Sequence, residues 1–249
     1  MEIKDKVVIV TGASSGLGEA TARLAHHAGA RVVLAVRRCD RLSKLAEDLA
    51  GALAVPTDVT SAQAVHQLRD SAKAHFETID VPVNNAGQGL PVPLMEVDRD
   101  VFQAVCELNV MAHLALMQAI VPAMAAQGSG AIVNVSSVTY QRMIPGLGAY
   151  SSTKSALNIL SQVARAELGG LGITVSVVYP ALTVTEFHQS LRAGRLPGAA
   201  RRMDAARPEA VAEVIMAVIG SGEAEAHIPR PAQACHRNVH GTPVAYPQV

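Results

Sequence analysis

Tryptophan is absent from the 249-residue chain, and aromatic residues make up only 3% of it. A surface that stacks unpaired bases needs aromatic faces, so that mode of binding is excluded. Excess charge is lacking too: 21 lysines and arginines meet 21 aspartates and glutamates, for a formal net charge of zero. Neither a nucleic acid held by bulk charge nor a polybasic membrane contact fits this balance. Cysteine is scarce and scattered, at Cys39, Cys106 and Cys235, with no C-x-x-C pair. That excludes a disulfide framework and a zinc ribbon and suits reduced thiols in a cytosolic chain. No metal site is expected from the histidines. His113 and His188 stand alone, and His236 and His240 share a face only on a helix, which Pro231 and Pro243 oppose. No window approaches the roughly 20 apolar residues that span a bilayer. The most apolar stretch, 110–126, is interrupted by His113, Gln118 and Pro122. Residues 1–6 lead straight into a strand-like run, without the longer apolar stretch and cleavage site of a signal peptide. The expectation is a soluble, cytoplasmic protein with no nucleic-acid or membrane partner.

What is present is apolar substance in a regular order. Hydrophobic residues make up 49% of the chain and charged ones 17%, too apolar for disorder and long enough to bury a core without staples. Short β-branched runs alternate with longer helical stretches. Strands are predicted over 6–11 (KVVIVT), 31–36 (RVVLAV), 53–56, 79–84, 131–135 (AIVNV), 173–178 (ITVSVV) and, weakly, 226–228. Helices are predicted over 16–27, 40–50, from a Ser61 cap to about 75, 99–127, 149–168, and from Pro208 to about 219. Strands separated by helices predict an α/β fold: a doubly wound, Rossmann-type parallel sheet of about seven strands with helices on both faces. No linker divides the chain, so one domain over 1–249 is expected, with an irregular tail over about 230–249. Pro82 falls within a central strand, where its missing N–H predicts a local irregularity.

Between the first strand and first helix runs Thr11-Gly12-Ala13-Ser14-Ser15-Gly16-Leu17-Gly18. Glycine is needed where the chain turns sharply or where backbone approaches a ligand closely. The helix that follows offers unpaired N–H groups and a partial positive charge, which suit a pyrophosphate. The spacing is T-G-x-x-x-G-x-G, not the commoner G-x-G-x-x-G. At the end of the second strand Val36 stands where an acid would hold the ribose 2′-hydroxyl of NAD, and Arg37 and Arg38 follow. Guanidinium groups there accommodate a 2′-phosphate, which points to NADP(H). Tyr150 and Lys154 lie four apart in a predicted helix and so share a face. A cation beside a phenol lowers the phenol's pKa toward the useful range of a general acid or base. On its own this pair would be an ordinary surface pair. Upstream lie two serines, Ser136 and Ser137, either of which could serve the tyrosine.

Taken together these motifs resemble the short-chain dehydrogenase/reductase family, over about residues 4–185. Asn84-Asn85-Ala86-Gly87 and Asp58-Val59 extend the match. The resemblance implies hydride transfer between NADP(H) and a carbonyl or secondary alcohol of a small molecule. Its implied catalytic set is Asn109, Ser137, Tyr150 and Lys154, with Ser137 selected by its distance of thirteen residues from the tyrosine. Tyr150 would exchange a proton with the substrate oxygen and Ser137 would donate a hydrogen bond to it. Lys154 would tune the phenol and hold the ribose, and Asn109 would position a relaying water. Cofactor contacts would come from Gly12, Ser14, Ser15, Gly16, Leu17 and Gly18, then Arg37, Arg38, Asp58 and Val59. Asn85, Ala86, Gly87, Tyr150, Lys154, Pro180, Thr183 and Thr185 would complete them. The family's Pro-Gly is here Pro180-Ala181, a departure at the nicotinamide end. Residues 138–147 and a substrate loop over about 186–207 would line the pocket. That loop carries Arg192, Arg195, Arg201, Arg202 and Arg207. They suit either a carboxylate or phosphate on the substrate or simple solvation. A homodimer or homotetramer through the long helices is also implied. The competing possibility is an NADP-binding sensor or scaffold without turnover.

Overall fold

The computed structural model describes residues 1–37, 39–181, 183, 191–195 and 205–228, and of residues 39–43 the backbone alone. The valine-rich runs form strands β1 (Val7–Thr11), β2 (Arg31–Val36), β3 (Leu53–Pro56), β4 (Val81–Asn84), β5 (Gly130–Val135), β6 (Ile173–Tyr179) and β7 (Glu225–His227). Between them lie helices α1 (Gly16–His27), α2 (Cys39–Asp48), α3 (Ala62–Phe76), α4 (Arg99–Cys106), α5 (Ala112–Gln127), α6 (Gly148–Leu168) and α7 (Pro208–Ser221). The strands make one sheet in the order β3-β2-β1-β4-β5-β6-β7, every pair parallel. Chain direction across the sheet reverses between β1 and β4. Such a switch point opens a crevice at the carboxyl ends of the strands, and that is where the glycine turn lies.

Side chains alternate across a strand, which explains the continuous apolar runs: both faces of this sheet are covered. Val8 and Val10 of β1 join Ile215 and Ile219 of α7 in one core, while Val7 and Ile9 join Leu68 of α3 and Ile120 of α5 in the other. The helix starts follow their caps. Ser61 accepts the Ala64 N–H at 3.3 Å, and Asp98 accepts those of Asp100 and Val101 at 2.9 Å each.

Three details depart from or refine the sequence expectations. Pro82 pairs in register with Ile9 of β1, but pairing with β5 begins only at Val83, so the missing N–H shortens that ladder. The helix expected over 99–127 contains one π turn, Glu107–Met111, between α4 and α5. The whole run Arg99–Gln127 is long and apolar enough by length and composition to cross a bilayer, contrary to the window estimate above. Half of its apolar window is buried inside the protein.

Candidate active site

At the carboxyl end of β1 the backbone turns through Gly12, whose φ of +66° suits glycine, and Gly16 follows at +56°. A Cβ on Gly12 would sit 3.0 Å from Asn85 Nδ2. One on Gly18 would strike the Gly12 carbonyl oxygen and lie 2.6 Å from Asn85 Nδ2. The turn and the segment after β4 are locked together. The Thr11 hydroxyl accepts the N–H groups of Asn85 (2.9 Å) and Ala86 (3.1 Å), and Asn85 Nδ2 donates to the Thr11 carbonyl at 2.9 Å. Helix α1 begins after Ser15, whose side chain makes no capping bond, so the first-turn N–H groups keep their positive end uncapped by that hydroxyl. Leu17 packs on the core beneath. This glycine cradle and helix end fit a dinucleotide diphosphate.

Along the same crevice Val36 is buried and Arg37 exposed. Asp58 accepts the Thr60 N–H at 3.0 Å and its hydroxyl at 2.7 Å. Burial acts to raise the Asp58 carboxyl, but the Thr60 bonds, with Arg37 close by, hold it below its ordinary value. Val59 packs with Ala86, Leu108 and Ala112. Arg38 and Thr185 lie outside the described residues, as do His188, Cys235, His236 and His240.

The candidate reacting groups converge from three elements. Ser137 follows β5 and hydrogen-bonds the Tyr150 phenol, while its Oγ accepts the Thr139 hydroxyl at 3.1 Å. Ser136 turns away: its hydroxyl reaches the Lys154 carbonyl at 3.5 Å. Tyr150 and Lys154 stand on one face of α6, with Lys154 Nζ 5.9 Å from the phenol ring centre and donating to the Val135 carbonyl at 3.0 Å. Asn109, in the π turn, is wholly buried. Its Oδ1 accepts the Gln88 N–H at 2.9 Å, and its Nδ2 donates to the Gln88 carbonyl (2.9 Å) and to Thr153 Oγ1 (3.1 Å). A Cβ on Gly87 would lie 3.1 Å from Asn109 Oδ1 and 3.7 Å from Lys154 Nζ, so that glycine lets the three segments meet.

The electrostatics differ from the simple cation–phenol picture. Burial pushes the Tyr150 phenol up to about 12, and the Ser137 hydrogen bond offsets only part of that. Burial holds the Lys154 ammonium down at about 8. Desolvation penalises both charged forms, and at this separation it outweighs their attraction.

Sequence reasoning left His113, one turn beyond Asn109, as a lone histidine without a role. It is buried, its ring lies against the carbonyls of Leu108 and Asn84, and its Nε2 has no hydrogen-bond partner. Burial first, and the Lys154 charge second, bring it down to about 3. An isolated histidine carries no sign of burial; only helix packing decides it. In the unfolded chain histidine titrates near pH ~6.5. Between there and pH 3 the unfolded chain takes up a proton that the folded chain refuses, so stability is lost as the pH falls. We expect up to about 1.4 kcal/mol lost per pH unit from this group. Urea midpoints at neutral and acid pH, with His113→Leu as reference, check it. If the variant loses as much stability on acidification as the native chain, the assignment fails.

After β6 the Pro180 carbonyl accepts the Val138 N–H at 3.1 Å, tying that strand end to the turn after Ser137. Ala181 is not among the described residues of positive φ, so the missing glycine entails no strain. Thr183 is buried, donates to the Ala181 carbonyl at 3.1 Å and bridges to Ala206. Of residues 138–147, residues 139–146 line a groove of about 470 Å³ with Leu94, Gly148, Ser151, Ser152 and Ser155. Tyr150 and Ser137 are not in its wall; on α6 Tyr150 faces away from Ser151, Ser152 and Ser155.

Comparison with known proteins agrees with this fold. Residues 6–196 match the short chain dehydrogenase family. An uncharacterized oxidoreductase of Staphylococcus aureus is 33% identical over 216 residues, covering 86% of this chain and 90% of that protein. One from Listeria innocua is 36% identical over 197 residues, covering 77% and 79%. Among solved structures, a short chain dehydrogenase/reductase from Burkholderia phymatum in complex with NAD superposes with a TM-score of 0.85 at 26% identity, covering 92% of this chain and 90% of that one. With the seven-stranded parallel sheet and the motifs in place, the chain belongs to the short chain dehydrogenase family and is an oxidoreductase of that type.

Proposed function

We propose that the protein is an NADP(H)-dependent reductase or dehydrogenase acting on a carbonyl or secondary alcohol of a small molecule. The observation that carries this is the convergence of Ser137, Tyr150, Lys154 and Asn109 beside the glycine cradle. Gly12, Ser14, Ser15, Gly16, Leu17 and Gly18 would hold the diphosphate, Asp58 and Val59 the adenine, and Arg37 and Arg38 the 2′-phosphate. Asn85, Ala86 and Gly87 would flank the ribose with Tyr150 and Lys154, and Pro180, Thr183 and Thr185 the carboxamide. When bound, the nicotinamide supplies the hydride that reduces the carbonyl carbon.

The chain's own residues handle the oxygen. Ser137 donates a hydrogen bond to it where negative charge develops. Tyr150 hands over its phenolic proton. A phenol whose pKa burial has raised stays protonated at neutral pH, which is the form a donor needs, and an alkoxide is basic enough to take that proton. Lys154 faces the resulting phenolate with its ammonium and limits the cost of charging a buried group. Asn109 keeps the π turn and the Gln88 backbone in place beside Lys154 and would hold the relaying water.

The choice of NADP(H) rests on Val36 in place of an acid and on the exposed Arg37 beside it. A guanidinium forms charge-assisted bonds to a phosphate. Arg37→Asp is expected to weaken NADPH binding by roughly 10- to 100-fold, with a far smaller effect on NADH. Titration of NADPH fluorescence measures both. Equal losses for the two cofactors would count against the assignment.

A further inference from the structure

The segment 191–195 is fixed by its backbone against the apolar cluster that includes Tyr150. The Arg192 N–H donates to the Gly89 carbonyl at 3.0 Å. Gly194, at a φ of +80°, presses so closely on the Pro91 carbonyl oxygen that a Cβ there would collide with it. Between them Ala193 packs into the apolar cluster of Leu90, Val92, Ala149 and Tyr150. This path is specified by a positive-φ glycine and a long-range hydrogen bond, unlike a loop whose charges are merely solvated. It leaves Arg192 and Arg195 exposed on either side of an alanine that belongs to the same cluster as the candidate acid. Neither arginine pairs with a carboxylate among the described residues.

We propose that Arg192 and Arg195 form an anion-binding rim of the substrate site, and that the substrate is a carbonyl compound bearing a carboxylate or phosphate beyond an apolar segment. The inference rests on Tyr150 marking the reacting end. Val92 and Ala193, partly buried and packed against the cluster that holds Tyr150, suit the uncharged stretch next to the carbonyl. Two guanidinium groups held by anchored backbone suit an oxyanion, which they bind through paired N–H donors.

The test uses matched pairs of ketones: an oxo acid against its methyl ester, and a keto phosphate against its dephosphorylated parent. Each is assayed by NADPH oxidation with the native chain and with Arg192→Gln/Arg195→Gln. The native chain should prefer the charged member of at least one pair. In the variant the charged-to-neutral ratio of kcat/KM should fall by roughly 10- to 100-fold, the loss of a charge-assisted hydrogen bond. The pair that responds more identifies carboxylate or phosphate. As a second readout, the charged alcohol product should raise the melting temperature of the native chain more than that of the variant. Turnover of neutral ketones with no charge preference, or a preference that survives in the variant, overturns the proposal while leaving the reductase reading intact. No NADPH oxidation with any ketone, and no effect of Tyr150→Phe, overturns the reductase reading and this proposal with it.

Discussion

Tyr150→Phe is expected to lower kcat for the proposed carbonyl reduction by about 10²- to 10⁴-fold, the span that a positioned proton donor contributes. The substitution removes one oxygen from a side chain that is 8% exposed and leaves its ring packed against Leu90, Val105 and Ala149. The fold loses the hydrogen bond to Ser137, on the order of 1 kcal/mol. It also loses the desolvated hydroxyl, so net stability changes little. On the proposed mechanism catalysis would lose its acid, and no neighbour would replace it. Ser137 is no acid of comparable strength, and Lys154 donates to the Val135 carbonyl with its Nζ 5.9 Å from the ring centre. Steady-state rates beside NADPH titrations separate the two effects: kcat should fall while cofactor affinity holds. Turnover retained at the native level would remove Tyr150 from the acid role.

The second large effect concerns the cradle. Gly18→Ala places a methyl group against the Gly12 carbonyl oxygen and 2.6 Å from Asn85 Nδ2. The first obstacle is backbone. The second is a side chain held by the Thr11 carbonyl at 2.9 Å, so neither can yield cheaply. Overpacking of this kind costs about 1–3 kcal/mol or more. In a chain of this size that lowers the melting temperature by roughly 2–12 °C. The larger consequence is for binding: relieving the clash moves the turn away from the α1 N-terminus, and NADPH affinity should collapse. Gly170→Ala is the control, because nothing lies within 4 Å of a Cβ at that position. Calorimetry and cofactor titration on both variants decide it. A Gly18→Ala protein that melts and binds like the Gly170→Ala protein would show that the close approach is dispensable.

Much of this was legible in the residues because the physics was local. A parallel strand buried on both faces must be apolar throughout, and VVIVT, RVVLAV and ITVSVV say so directly. A tyrosine and a lysine four apart on a helix must share a face. The glycine turn was readable because φ near +60° and missing Cβ atoms restrict the residue type. Other features depend on partners far away in sequence. The π turn that carries Asn109 adds one residue to a helical turn without a compositional mark. The choice between Ser136 and Ser137 depends on which hydroxyl the end of β5 aims at Tyr150, a matter of sheet geometry. The direction of the Tyr150 shift could not be foreseen either: spacing reports the neighbouring cation, but only packing reports the desolvation that outweighs it. The sequence leaves the arginines of 191–195 open between substrate binding and solvation because their anchors, Gly89 and Pro91, lie a hundred residues upstream.

The most direct measurement follows a label. NADPH deuterated at both C4 positions is turned over once with a ketone in ordinary water, and the alcohol is examined by NMR. One deuteron on the carbinol carbon, formed rapidly by the native chain and barely by Tyr150→Phe, is the predicted result. Hydrogen from solvent on that carbon, or labelled alcohol formed equally fast without the phenol, would contradict the account.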